Sequence, residues 1–541
     1  MVDATRLPVD TGASALDMAQ EIFGNGVTVV GASYTGDSRS SGIYSDGDAI
    51  SPFATPGDTG VILSTGRAVR FTNTSGEANQ SSSRTTNTSG PNNDPDFNAL
   101  AGANTYDAAW LDIDFIPTGD TLTMQFVFSS DEYPEYTGSI YNDAVGVWVN
   151  GAPATLTVGD GSASVGNLNE INNINLYNDN TADQYNTEMD GFTVTLTLTM
   201  TVIPNVLNSI RIGIADVADS SYDSNLLIAG DSLQTTLVAI DDSVRIDAGA
   251  SKTISPLAND SYSGGGTLTV THVNGQAVTA GDTVSLPNGQ QVTLNANGTF
   301  TITADADEEV AAFTYTIDDG AGLTDTGFVT VSTIPCFVAG TLIRTLEGEW
   351  PIEELEPGDL VMTKDNGPQP LRWIGRRTVA AEGDLAPIRI AAHTFGVHRT
   401  LMISPQHRIL IRDSLSELLF GEPEVLVAAK HLLNDRTVTR QTGGCVEYVH
   451  LLFDEHQVVF SEGLASESFL PGVQTTGVFE REIIDEICRI FPDLDPDTGD
   501  GYSPAARRTL KAHEAQVLVA GGVGAVAPLM PTGSQRWRRA A

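Results

Sequence analysis

Residues 193–202, TVTLTLTMTV, alternate apolar and hydroxyl side chains without a break. Val194, Leu196, Leu198, Met200 and Val202 fall on one face and the threonines on the other, the period-two pattern of a half-buried strand. LTMQFVFSS (122–130) reads as a second strand of the same kind. Nearer the start, Ser14 and Asp17 fit a capping box. Leu16, Ala19, Ile22 and Phe23 give a helical stripe, and Gly24 marks its end. Residues 72–96 are a polar low-complexity loop. These patterns predict a mainly β, sandwich-type fold opened by one short helix.

The chain has 541 residues, with 69 Asp and Glu against 28 Lys and Arg, a net charge of −41. At roughly 150 residues per domain this is enough for three or four folded units. A 40% apolar content supplies their cores. Nucleic acid and anionic lipid would be repelled, so neither is an expected partner. Residues 1–335 carry 41 acidic and 8 basic side chains, one His (His272) and no Cys. The other seven His and all three Cys lie beyond, so the chemistry is expected there. No stretch approaches the ~20 apolar residues of a membrane span. The start has neither a basic nor an apolar signal region, so export is expected without an N-terminal signal peptide, in a type I-like manner.

Two loop regions concentrate oxygen ligands. Residues 126–151 hold Asp131, Glu132, Glu135, Asn142 and Asp143; residues 214–230 add Asp216, Asp219 and Asp223. Calcium takes six to eight such oxygens, so these clusters are candidate Ca²⁺ sites, against the alternative of solvated turn residues. The runs FVFSSDEYPEY and DSSYDS resemble the choice-of-anchor L domain of bacterial surface proteins, over about residues 7–238. The resemblance implies an extracellular β domain that binds an unknown cell-surface or matrix ligand.

Residues 239–334 show short alternating strands with turn signals about every ten residues, the pattern of a β-sandwich. Leu257–Asp260 and Tyr315–Gly320 resemble the cadherin-like, Ig-like repeats of bacterial adhesins. Asp241, Asp242, Asp260, Asp318 and Asp319 are further calcium candidates there.

At residue 335 the character changes. Cys336 follows Pro335 and opens an apolar-alternating stretch, CFVAGTLIRT. A thiol at a domain's first residue can attack the carbonyl behind it, turning an amide into a thioester, with enforced proximity driving the step. The departing nitrogen needs a proton donor. Ser404 and His407 in LMISPQHRILI supply a hydroxyl and an imidazole three residues apart, and His450, Asp454 and His456 follow on a later strand. Zinc bound by Cys445, His450 and His456 fits no standard ligand spacing. Cys445 and Cys488 are expected to be structural, and His393 and His398 to lie on the surface.

These residues resemble the Hint (hedgehog/intein) domain, over 336 to about 470, an all-β fold. The resemblance implies that Cys336 is the nucleophile and that Ser404-Pro405-Gln406-His407 carries the amide-activating histidine. Tyr448 to His456 would carry a later one, with Gly463 beyond it. Two departures stand out. Where splicing needs a terminal His-Asn, the chain reads Glu467-Ser468; Gln474-Thr475 only imitates the pair. Pro335 restricts the residue whose carbonyl is attacked. Cleavage at Pro335–Cys336, with the thioester resolved by water or an external nucleophile acting as acceptor, is therefore expected rather than splicing. No cofactor is needed for it. The rival is a calcium-binding adhesion protein whose Hint fold is structural. From 473 onward a helical tail is expected, with one helix in EREIIDEICRIF and a second after Ser503-Pro504.

Overall fold

The computed structural model describes all residues except 1, 3, 75, 138, 160, 247–250, 305–310, 333–335, 382–385, 435, 471–486, 488, 492–501, 511 and 521–541. The chain divides into two compact units, Met1–Asp305 with Val310–Val331, and a second made chiefly of Ser332–Ala541.

In the first unit, strand Thr121–Ser130 pairs antiparallel with Leu196–Thr201 on one edge and Ser224–Ala229 on the other. The alternation of 193–202 faces as expected: all five apolar side chains are buried. They meet Leu111, Phe115, Ile212 and Ile214 from the second sheet, built on Val27–Thr35, Thr105–Pro117, Asn208–Val217 and Ala144–Val149. Two antiparallel sheets thus share one core, and each buried aliphatic side chain contributes roughly 1.5–3 kcal/mol.

Helix Ala15–Ile22 has the Ser14–Asp17 capping box. Its inward stripe differs from expectation, because Met18 is buried while Leu16 is 43% exposed. Phe23 ends the helix in an extended conformation. Gly24 serves close approach instead of a left-handed turn, since a Cβ there would lie 2.1 Å from the Asp231 carbonyl oxygen.

The polar loop has a structural task. Its backbone N–H groups donate to acidic side chains, Arg84 to Asp131 (2.8 Å), Thr86 to Asp223 (2.6 Å) and Ser89 to Asp37 (3.0 Å). The rest of the unit is a β-sandwich. Asp242–Arg245, Thr324–Ser332, Ala311–Asp318, Thr269–Val273 and Gln276–Ala277 form one sheet, and Ser251–Ile254, Phe300–Thr303, Gln291–Leu294 and Thr283–Ser285 the other. Phe300, Phe313 and Tyr315 fill its core.

The second unit is also antiparallel. One sheet runs Trp373–Ala380, Cys445–Leu452, Phe337–Val338, Leu401–Ile403, Ile388–Ile390, Val438–Arg440. The other contains Leu342–Thr345, Leu360–Thr363, Val458–Ser461, Leu464–Glu467, Arg408–Arg412 and Glu424–Ala428. Glu462 and Gly463, at φ 51° and 85°, form the tight turn of the hairpin between Val458–Ser461 and Leu464–Glu467. Two left-handed residues suit the strand twist there.

The tail corrects one expectation. Ser503 caps no helix; its hydroxyl accepts the His456 backbone N–H at 2.7 Å. Residues 508–510 run beside Leu426, whose N–H donates to Arg508 O and whose carbonyl accepts from Leu510 N. Backbone pairing with a strand edge outweighs local helix propensity in this segment. The helix begins at Ala512 and runs to Ala520, with Ala515 and Leu518 in the core. Of the segment 480–491, only Ile487 and Arg489–Phe491 lie among the described residues, and Ile487 packs on Trp373 and Phe469.

Candidate functional site

The register of three strands builds the site. Phe337 stands opposite Ile403 on one side and Val449 on the other. In antiparallel pairing the preceding residue of the middle strand then faces the following residue of each neighbour. Cys336 accordingly lies between Ser404 and His450. Its N–H donates to Ser404 Oγ at 2.8 Å, and the Ser404 N–H donates to the Cys336 carbonyl at 2.9 Å. On the other side Cys336 Sγ is 3.3 Å from His450 Nε2. All three residues are buried.

Ser404-Pro405-Gln406-His407 is a β-turn closed by the His407 N–H on the Ser404 carbonyl at 3.1 Å, with Pro405 at its favoured second position. The turn folds the imidazole over Phe337, ring centroids 4.1 Å apart. Neither His407 ring nitrogen has a hydrogen-bond partner among the described residues. Burial pushes its pKa down to about 4, against the pull of the Glu467 charge and the Cys336 backbone. A buried imidazole without partners costs stability, and such exceptions are found at catalytic positions.

His456 belongs to a neighbouring arrangement. Its Nδ1 accepts the Ala506 N–H at 2.9 Å, so Nε2 carries the proton and donates to the Ser468 carbonyl at 3.1 Å. Glu467 Oε2 is 3.4 Å from that nitrogen. The Glu467 carboxylate is buried, yet Arg408 and His456 hold it down to about 2 despite desolvation. Glu467 carries no local sequence signal, because its role depends on Arg408 and His456 from other elements.

Cys336, Ser404, His407 and His450 are thus brought together, with His456 in the adjoining cluster. Pro335 lies outside the described residues, as do Gln474, Thr475 and Cys488. Cys445 is exposed at the start of its strand. His393 is exposed as expected, but His398 is buried, accepting the Phe395 N–H and pairing with the Arg399 carbonyl, which locks a turn.

The calcium candidates are placed as follows. Asp131, Glu132, Asp143, Asp216 and Asp223 are buried, whereas Glu135, Asn142 and Asp219 are more open. Asp143 accepts from Val217 N and Ser224 Oγ, and Asp216 Oδ1 has no partner. In the second sandwich, Asp260 accepts from Ile240 N and the Tyr315 hydroxyl, and Asp241 from Phe328 N. Asp242 is partly buried and has one carboxylate oxygen without a partner. Asp318 and Asp319 accept turn N–H groups. Among the described residues, no three His, Cys, Asp or Glu side chains are arranged to hold a metal. No described helix is long and apolar enough to cross a membrane.

Comparison with known proteins matches three stretches of the chain. Residues 8–234 match the choice-of-anchor L domain, 234–332 the bacterial Ig domain and 335–473 the Hint domain. No curated protein matches the chain. Among solved structures, that of the gp41-1 intein is 10% identical, covers 25% of this chain and 98% of that chain, and has a TM-score of 0.18. The MchDnaB-1 intein is 11% identical, with coverage of 24% and 99% and the same TM-score of 0.18. The protein carries, in order, a choice-of-anchor L domain, a bacterial Ig domain and a Hint domain, and the cysteine site lies in the last of these.

Proposed function

We propose that the Hint domain cuts its own chain before Cys336. The observation carrying this reading is the double grip on that residue, Ser404 on its amide nitrogen and His450 on its sulfur. In the first step the Sγ proton passes to His450 and the sulfur attacks the Pro335 carbonyl carbon. The carbon–nitrogen bond breaks, and the Cys336 nitrogen takes a proton from His407 to leave as an amine. The product is a thioester, with no net gain or loss of protons. Water then adds to the thioester carbon, releasing the thiol and a Pro335 carboxylate; an amine nucleophile would instead leave an amide. Ser404 orients the scissile nitrogen throughout.

Splicing has no support at Glu467-Ser468, because a carboxylate held by Arg408 offers no amide to cyclise. An anchor-type domain at the head of the chain fits a cell-surface passenger, which such cleavage would release or attach. Incubating the purified protein with a small thiol or hydroxylamine tests the reading. Accelerated cutting that Cys336→Ala abolishes supports it, and an uncut wild type favours a structural Hint fold.

Calcium in the first unit is the second reading. What favours it is the burial of Glu132, Asp143 and Asp216, whose charges must be balanced by protons or a cation. Desolvation raises all three carboxyls, Asp143 to about 7 and Glu132 to about 10, with like charges nearby adding to the rise for Glu132.

A further inference from the structure

Among the described residues, Arg408, Glu467 and His456 act on the His407 imidazole. Arg408 adjoins it on the same strand, Glu467 comes from the neighbouring strand, and His456 from the loop before Val458–Ser461. Glu467 is fixed on every side. Its Oε1 accepts the Arg408 N–H at 2.9 Å, Oε2 accepts from the Arg408 guanidinium at 3.1 Å, and the same oxygen faces His456 Nε2. His456 keeps its proton on Nε2, which donates to the Ser468 carbonyl and lies 3.4 Å from Glu467 Oε2, because the Ala506 N–H occupies its other nitrogen, and the Ser503 hydroxyl holds its backbone. Ala506 and Ser503 belong to the C-terminal segment, beyond the 335–473 matched to the Hint family. That segment is secured independently, by Arg507 on Glu424 and Asp365, the Tyr502 hydroxyl on the Phe453 carbonyl, and Leu510 in the core.

We propose that Glu467 is a positioning residue of the cleavage site, setting the charge that faces His407, and that residues 502–510 complete the site by fixing the His456 tautomer that holds it. This deepens the cleavage reading and rests on it for its consequence, though not for its geometry. A buried imidazole that must give up a proton must first acquire one, and an adjacent carboxylate favours the charged form. The segment acts through one backbone donor, the Ala506 N–H, and one hydroxyl acceptor, Ser503 Oγ, which leave little trace in the sequence.

The test uses the full chain in a Cys336→Ala background, which separates it from the success of cleavage. Histidine NMR titration should show the His407 midpoint falling by about one pH unit in Glu467→Gln, which is about tenfold less charged imidazole. Glu467→Asp should restore most of it. Ala506→Pro removes the donor, and the His456 nitrogen shifts should then report loss of the Nε2-protonated tautomer. An unmoved His407 in a folded Glu467→Gln chain, or an unmoved His456 tautomer in Ala506→Pro, overturns the inference. With Cys336 present, Glu467→Gln should slow cutting about tenfold and move the alkaline limb of the pH profile, where the His407 proton is lost, down by the same unit. A cutting wild type with an unshifted profile overturns the inference alone, whereas an uncut wild type overturns the cleavage reading.

Discussion

Cys336 Sγ stands 3.3 Å from His450 Nε2, within reach for proton transfer from thiol to imidazole. Thiolate is the nucleophile, so this base should set the reactivity of the sulfur. Replacing His450 by Gln should slow cleavage by ~10²-fold or more. It should also reduce the rate at which a small alkylating agent captures Cys336, measured by mass. Unchanged alkylation would remove His450 from the mechanism.

Ser404 offers a second, separable contribution. Its hydroxyl accepts the scissile N–H, and Ser404→Ala leaves that buried donor without a partner at a cost of ~1–3 kcal/mol. Cutting should slow and the thermal transition of the second unit should drop, while Ser404→Thr should retain both. Calorimetry beside a cleavage time course checks this.

How the sequence foretold this site, and where it did not, follows from what each residue touches. Cys336, Ser404, His407 and His450 were legible because their chemistry is rare and their spacing is tied to strands whose apolar alternation is plain. The Thr-alternating strand at 193–202 was legible for the same reason. Glu467 was read only as the absence of a splicing residue, since its role depends on Arg408 and His456, far apart in sequence. The segment at 503–510 looked helical by composition, yet its backbone groups are claimed by Leu426 and His456, which no local pattern announces. Leu16 and Met18 exchanged places through a shift of the helix face. His398 looked superficial in a polar stretch but closes a buried turn.

Acid should weaken the second unit. Burial holds His407 down from 6.5 to about 4, so the unfolded chain binds its proton first. Stability is therefore lost as pH falls from about 6.5 toward 4, by at most about 3 kcal/mol for this group. Glu467, held down from 4.5 to about 2, adds a loss of similar size as pH falls further. Denaturant titration of the uncut Cys336→Ala chain at pH 7.5, 5.5 and 4 should show the falling midpoint. A flat profile would contradict the burial of an uncharged His407.

The first unit should behave oppositely. Glu132, Asp143 and Asp216 have raised pKa values, so without a cation they are most stabilising in protonated form. Stability should fall as pH rises from about 4 through 7 and beyond. If Ca²⁺ replaces those protons, adding it should raise the first transition at pH 8 and have little effect at pH 5. Equal transitions with Ca²⁺ and with chelator at pH 8 would refute the calcium reading.

The most direct test of the central claim is the intact mass of the wild-type chain and of Cys336→Ala after incubation with hydroxylamine. The wild type should yield a C-terminal piece beginning at Cys336 and an N-terminal piece ending at Pro335 as its hydroxamate, with the variant left whole. A wild type that stays whole, or a variant cut at the same bond, would contradict attack by the Cys336 thiol.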